Sequence, residues 1–149
     1  MTSQRWLLCS CRGERFGLEL RWVREIDYRP RVLPLPTAPP PLVGLLHWRG
    51  RQVPALSLAQ ALGHSEAESG AAALMLDISG EPLGLLVESV GETMDVPEGG
   101  AVALDQALAA GAGLVAEALP LGTGVVFRLE PERLPVLAAA REALAQGAR

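Results

Sequence analysis

The chain has 149 residues, of which 49% are hydrophobic, and its 13 basic and 17 acidic side chains give a net charge of −4. This length suffices for a domain with a substantial core. Arg, Glu, Pro or Gly interrupts every apolar run before it reaches membrane-spanning length, and the N-terminus lacks the features of a secretory signal. We therefore expect one domain, residues 1–149, in a soluble, cytoplasmic protein with no direct membrane insertion.

The charge is unevenly distributed along the chain. Residues 1–64 carry nine Arg and four acidic residues, a net charge of +5, whereas residues 65–149 carry four Arg and thirteen acidic residues, a net charge of −9. No basic stretch is interleaved with aromatic residues, so we expect no nucleic-acid partner. The two halves either steer protein partners or neutralise each other within one fold.

The first predicted elements form a β-hairpin. The runs WLLCSC and FGLEL have the pattern of strands, and Gly13 marks the turn between them. The following RWVREI is too short for a helix of its own, so it is either one helical turn or the start of a strand. From Pro30 to Pro41 there are six prolines in twelve residues. Such density predicts a stiff, extended connector.

Two more hairpins are predicted further along the chain. LVGLLHW and RQVPALS turn at Gly50, and AALMLDI and EPLGLLVESV turn at Ser79-Gly80. Pro54 predicts either that its strand lies at a sheet edge or that the position without an N–H faces outward.

Between these hairpins, SLAQALG predicts a short helix that begins after an N-cap and ends at a glycine. Ser57 is the predicted N-cap, Gln60 completes a capping box, and Gly63 ends the helix. A polar loop, HSEAESGA, follows it. The predicted turn and cap residues are thus Gly13, Gly50, Ser57, Gly63 and Gly80.

The last third of the chain has weaker signals. GETMDVPEGGAV is predicted to be irregular, ALDQALAAG a short helix, GVVFRL the last strand, and residues 134–146 a C-terminal helix. Many short strands joined by hairpins, with short helices between them, predict an all-β small barrel or sandwich.

Motifs of catalysis are missing from the sequence. His47 and His64 lack metal-ligand spacing, and there is no P-loop, dinucleotide fingerprint or nucleophile elbow. We therefore predict a binding protein that is not an enzyme and needs no cofactor or metal. Cys9 and Cys11, two apart on a predicted strand, are interpreted as packed, reduced thiols; the alternative is a C-x-C metal or redox site.

Several motifs in fixed order resemble a known family. They are FGLEL, VREI, the proline-bearing connector, GLLHWRGRQVPALSL, ALG and GLLVESV, and the resemblance as a whole covers Arg5 to Leu137. In this order they resemble the CheW-like domain of bacterial chemotaxis coupling proteins. The chain departs from the family pattern at His47-Trp48 (usually Asn-Leu), at Ser57 (usually Asp) and at Glu88 (usually Asp).

The resemblance implies two small intertwined SH3-like β-barrel subdomains that share a core, plus a C-terminal helix. It implies a non-catalytic adaptor that couples the cytoplasmic tips of chemoreceptors to the regulatory domain of a CheA-type histidine kinase. The partner-binding residues it implies are Val23, Glu25, Trp48, Arg49, Gly50, Gly84 and Val87. Other possibilities are a coupling protein of a non-flagellar pathway, such as pilus motility or development, or a small metal- or redox-binding protein.

The resemblance also raises a specific expectation for Arg49. In the family pattern the Glu of V-x-E-I lies near the Arg of R-G, so Arg49 and Glu25 are expected to form an ion pair at the receptor-binding groove. The alternative is an exposed turn arginine that contributes little to stability.

Overall fold

The computed structural model describes residues 4–104 and 113–134. In this part of the chain the backbone forms twelve strands, one short α-helix, and 3₁₀ turns at Leu20–Trp22 and Pro131–Arg133. The elements in chain order are β1 (Gln4–Cys11), β2 (Glu14–Glu19), β3 (Val23–Asp27), β4 (Leu33–Pro34), β5 (Leu42–Trp48), β6 (Arg51–Ser57), α1 (Leu58–Ala61), β7 (Ala72–Ile78), β8 (Glu81–Val87), β9 (Ser89–Val96), β10 (Val102–Ala103), β11 (Val115–Leu121) and β12 (Gly124–Leu129).

The strands form two six-stranded sheets. Sheet 1 has the order β10-β11-β12-β2-β1-β9, and sheet 2 has the order β3-β7-β8-β6-β5-β4. Each contains one parallel pair, β12 with β2 in sheet 1 and β6 with β8 in sheet 2, and the other pairs are antiparallel. The first two strands, β1 and β2, belong to sheet 1, the next six, β3 to β8, form sheet 2, and β9 to β12 complete sheet 1. Because the chain leaves sheet 1 and later returns to it, the two sheets are intertwined.

The three predicted hairpins are confirmed, and all have the same two-residue turn. Cys11 pairs with Glu14, Trp48 with Arg51, and Ile78 with Glu81. Both central residues of each turn have positive φ: Arg12-Gly13, Arg49-Gly50 and Ser79-Gly80. This is the type I′ turn, whose twist matches that of the flanking strands. The chain has no Asn, so Arg and Ser occupy the first central position.

The core has three clusters: one that the two sheets share, one within sheet 2 and one within sheet 1. Along β7, Ala73 and Met75 point into a cluster enclosed by sheet 2 alone, whereas Leu74 and Leu76 point into a cluster common to both sheets. Sheet 1 encloses its own cluster around Trp6. The alternation of strand side chains thus gives each sheet a small interior and a shared core, which confirms the predicted fold class.

Four sequence expectations need correction or fall outside the described residues. GETMDV is regular, since it forms most of β9, and neither β10 nor β11 was predicted. β6 is not an edge strand, but its pairing with β8 begins only at Ala55, so Pro54 lies just outside the paired segment on that side. The predicted C-terminal helix lies outside the described residues, as does most of the helix predicted for ALDQALAAG. Of the helices in the described ranges, none has the length and apolar character needed to cross a membrane.

Candidate partner-docking surface

The predicted residues Glu25 and Trp48 are in contact with each other, although they lie on distant strands of sheet 2. Glu25 lies on the edge strand β3 and Trp48 at the end of β5, and three strands separate β3 from β5 in the sheet order. The Trp48 indole Nε1 nevertheless donates a hydrogen bond of 2.8 Å to Glu25 Oε2. Sheet 2 must therefore curl into a barrel, and this hydrogen bond closes its rim.

Arg49 follows Trp48 in the type I′ turn and folds back over it. The guanidinium carbon lies 4.6 Å from the centroid of the indole ring, within the range of a cation–π contact. Arg24 and Arg51 line the same shallow groove of about 230 Å³ as Trp48 and Arg49. We call the surface made by Arg24, Glu25, Trp48, Arg49 and Arg51 the Trp48 surface.

The ion pair expected between Arg49 and Glu25 is not formed. Among residues 4–104 and 113–134, none of the ion pairs joins these two side chains; the Glu25 carboxylate is bound by Trp48 instead. The physical reason is Trp48, whose indole N–H donates to Glu25 and whose ring face contacts the Arg49 guanidinium. Glu25 and Arg49 are both exposed, so this corner of the barrel carries no buried charge.

Two residues expected to bind partners are instead in the core. Val87 is fully buried in the common cluster. Gly84 is buried inside the barrel of sheet 2, where a Cβ would lie 2.3 Å from Leu46 Cδ1. Its role is to leave room for Leu46, so neither residue offers a surface to a partner. Val23, half-buried at the start of β3, packs against the common cluster.

The N-cap at Ser57 is confirmed, although the capping box is not. The Ser57 hydroxyl accepts from Gln60 N at 3.1 Å. The Gln60 side chain does not accept from Ser57 N in return, because that N–H donates to the Pro41 carbonyl at 2.8 Å, and the Gln60 amide donates to the Ser65 carbonyl. Glu68 takes the second capping role: its carboxylate accepts from Ala59 N at 2.7 Å and from the Ser57 hydroxyl at 2.6 Å. Gly63, with φ of 102°, follows the helix as predicted.

A charged cluster in sheet 1 was not predicted. Arg128, 12% exposed, forms ion pairs with Glu117 on the neighbouring strand, with Glu130, and at 3.7 Å with Glu19 on β2. Burial alone would lower the pKa of the Arg128 guanidinium, but its hydrogen bonds to Glu117 and Glu130 outweigh that and raise the pKa. Arg128 therefore stays charged and ties β11, β12 and β2 together.

The two cysteines are free thiols, and both are buried. Burial raises the pKa of Cys9 and of Cys11 to about 12, and for Cys11 the Glu68 and Glu88 carboxylates add to the effect. Such thiols are protonated at neutral pH and react slowly. In the described ranges no three His, Cys, Asp or Glu side chains are grouped so that they could hold a metal ion.

Sequence reasoning missed the other two arginines of the Trp48 surface. Arg24 and Arg51 adjoin the predicted residues in the motifs VREI and WRGR, and their proximity in sequence was a usable signal. Arg24 also lies 3.9 Å from Asp77 across the β3–β7 pair. No local sequence signal marks Glu68, because it caps α1 only when the loop that carries it folds back to the start of that helix.

The fold and the motifs together identify the family. The family model for the CheW-like domain matches residues 5–137, so the chain belongs to the CheW-like domain family. Its fold is similar to that of the scaffolding protein TtCheW from Thermoanaerobacter tengcongensis, with a TM-score of 0.77 and 18% identity over 87% of this chain and 86% of that chain. At this identity the likeness shows the fold alone. Comparison with curated proteins gives no match.

Proposed function

We propose that this chain is a non-catalytic cytoplasmic adaptor that joins chemoreceptor tips to the regulatory domain of a CheA-type histidine kinase, and that residues 1–149 form one CheW-like domain. Membership of the CheW-like domain family supports the adaptor role. The observation that carries the proposal for the site is the Trp48 surface, an exposed corner where an aromatic ring and three arginines line one groove.

The chemistry of that groove favours an acidic protein partner. Arg24 is only weakly neutralised by Asp77, since their 3.9 Å contact is between partly exposed side chains. Arg49 and Arg51 are exposed, and arginine pairs readily with carboxylates through its planar fork of donors. A receptor helix that carries carboxylates would therefore be attracted and oriented by this surface.

The test is a pair of titrations with purified partners. A soluble receptor fragment and an isolated kinase regulatory domain are each titrated with the parent protein, with Arg49→Ala, and with Arg15→Ala as a charge-matched control on sheet 1. We expect Arg49→Ala to weaken receptor binding by about tenfold and kinase binding less, with the receptor affinity falling as salt is added.

The control variant should bind both partners as the parent does. Absence of binding between the parent protein and every receptor fragment and kinase domain tried would contradict the adaptor function. Equal receptor binding by the parent and Arg49→Ala would instead contradict the assignment of the Trp48 surface.

A further inference from the structure

Trp48 separates two opposite charges that would otherwise attract each other. Its indole N–H donates to Glu25 Oε2 at 2.8 Å, and its ring centroid lies 4.6 Å from the Arg49 guanidinium carbon. The edge of the indole thus binds the Glu25 carboxylate, and its face contacts the Arg49 guanidinium. In this arrangement the N–H groups of Arg49 are directed at neither Glu25 nor another carboxylate among the described residues.

We propose that Trp48 is a positioning residue that keeps Glu25 away from Arg49, so that the Arg49 guanidinium remains available to a carboxylate of the docking partner. The proposal rests on the adaptor function given above, and it adds the residue that prevents Arg49 from pairing with Glu25. Glu25 then has a defined role as the hydrogen-bond acceptor that holds the indole in place.

Two features support a positioning role over simple packing. Trp48 is half-buried: it packs against the cluster enclosed by sheet 2, and the rest of its side chain reaches the surface. Each of its two polar contacts uses a part of the indole that an aliphatic residue lacks. The left-handed φ of Arg49 is no evidence of function, since Arg12 and Ser79 have the same conformation in the other two turns.

Competition between Glu25 and the partner for Arg49 makes the proposal testable. In Trp48→Leu the indole is lost, and Glu25 becomes free to pair with Arg49. We expect this variant to bind an acidic receptor fragment about five- to tenfold more weakly. Adding Glu25→Gln to Trp48→Leu removes the competing charge, so the double variant should recover most of the affinity.

Two further variants separate the parts of the indole. Trp48→Phe keeps a ring under Arg49 but loses the donor, so its affinity should fall between those of the parent and Trp48→Leu. Glu25→Gln alone keeps an acceptor for the indole but removes a negative charge beside Arg49, so it should bind an acidic fragment more tightly than the parent, by a smaller factor than it gains in Trp48→Leu. Thermal unfolding of each variant confirms that the compared proteins are folded.

A second measurement on the free protein does not depend on any partner. In ¹⁵N-labelled protein the Trp48 indole N–H resonance, assigned by its loss in Trp48→Phe, should move in Glu25→Ala, which removes the acceptor of the indole hydrogen bond. Glu25→Gln keeps an acceptor oxygen and should move the resonance less. A Trp48 resonance that stays in place in Glu25→Ala would overturn the positioning role, whatever the binding data show.

The binding outcomes are equally decisive. If Trp48→Leu with Glu25→Gln binds as weakly as Trp48→Leu, the indole acts by packing or direct contact and the proposal is wrong. Unchanged binding by Trp48→Leu would also overturn it. If the parent protein binds no receptor fragment, the adaptor function fails, and the resonance experiment still decides whether Trp48 holds Glu25.

Discussion

The Ser57 hydroxyl donates a hydrogen bond of 2.6 Å to Glu68 Oε1 while its oxygen accepts from Gln60 N. Ser57 is fully buried, so a polar group in this position must be satisfied internally. Glu68 supplies that partner and also accepts from Ala59 N at 2.7 Å. The loop after α1 therefore completes the cap that Ser57 begins.

Replacement of Glu68 should destabilise the protein although it lies in a polar loop. Glu68→Ala removes one acceptor of a helix N–H and the partner of a buried hydroxyl, which together correspond to about 1–2 kcal/mol. Glu68→Gln keeps an acceptor oxygen and should lose less. Urea unfolding measures both, with Glu66→Ala, an exposed neighbour in the same loop, as the control. Equal stability of Glu68→Ala and Glu66→Ala would show that the cap is unimportant.

Gly50→Val should lower stability by about 1–3 kcal/mol, because φ at Gly50 is 74° and a β-branched residue is strained there. A Cβ added at Gly50 would have nothing within 4 Å, so the cost is conformational and not a clash. Gly91→Val on the exposed strand β9 is the matched control, since its Cβ would make only ordinary contacts from 3.5 Å. Melting temperatures of the two variants should differ clearly, and a match would mean that the turn tolerates side chains.

Gly84→Ala tests whether that glycine serves packing. Its Cβ would lie 2.3 Å from Leu46 Cδ1 and 3.4 Å from Met75 Sδ, which forces the barrel interior to rearrange at a cost of about 1–3 kcal/mol. Adding Leu46→Ala makes room, so the double variant should lose less stability than the sum of the single variants. Strict additivity in denaturant unfolding would contradict the packing role.

Arg128→Ala should be among the most destabilising changes outside the apolar core. It leaves the carboxylates of Glu19, Glu117 and Glu130 close together without their shared cation, and breaking such a partly buried cluster costs about 3 kcal/mol. Arg15→Ala, an exposed position on β2, should cost under about 0.5 kcal/mol. Urea unfolding at neutral pH measures both variants, and a loss for Arg128→Ala as small as that for Arg15→Ala would contradict the cluster's role.

The buried thiols predict a loss of stability at alkaline pH. In the unfolded chain Cys9 and Cys11 ionise near 9.0, whereas in the folded protein the pKa of each is raised to about 12. Stability from these groups is therefore complete below about pH 9 and declines as pH rises toward 12, by up to about 1.4 kcal/mol per pH unit for each thiol. The chain has no Lys and a single Tyr, so few other groups titrate in this window.

Unfolding by urea under reducing conditions at pH 8, 9, 10 and 11 measures that decline. Cys9→Ala with Cys11→Ala should begin less stable and show a flatter dependence on pH. The same double variant should bind receptor and kinase fragments as the parent does. Parallel pH curves would contradict the thiol assignment, and loss of binding by a folded variant would favour the redox hypothesis.

The hairpins were predictable because their signals are local: an apolar run, a glycine turn and a second apolar run identify β1–β2, β5–β6 and β7–β8. The motifs also singled out Glu25, Trp48 and Arg49, whose side chains are neighbours in the structure; that they bind a partner stays a prediction. The Trp48–Glu25 contact could not be predicted from spacing, since it depends on the curl of a sheet whose edge strand is 23 residues away in sequence. β9 was missed because its edge position leaves most of it exposed, which weakens the apolar alternation.

The proline-rich connector has a consequence for solubility. β4 forms one outer edge of sheet 2, and open edges are where strands of other molecules add. Pro34 and Pro36 have no N–H, and the Leu35 N–H is directed inward to the Val43 carbonyl at 3.2 Å. Over residues 34–36 this edge therefore offers no amide donor to an approaching strand. At the opposite edge of sheet 2, β3 carries Arg24 and Glu25, and an added strand would have to remove water from these charges. Both edges of sheet 2 therefore disfavour the addition of strands from other molecules.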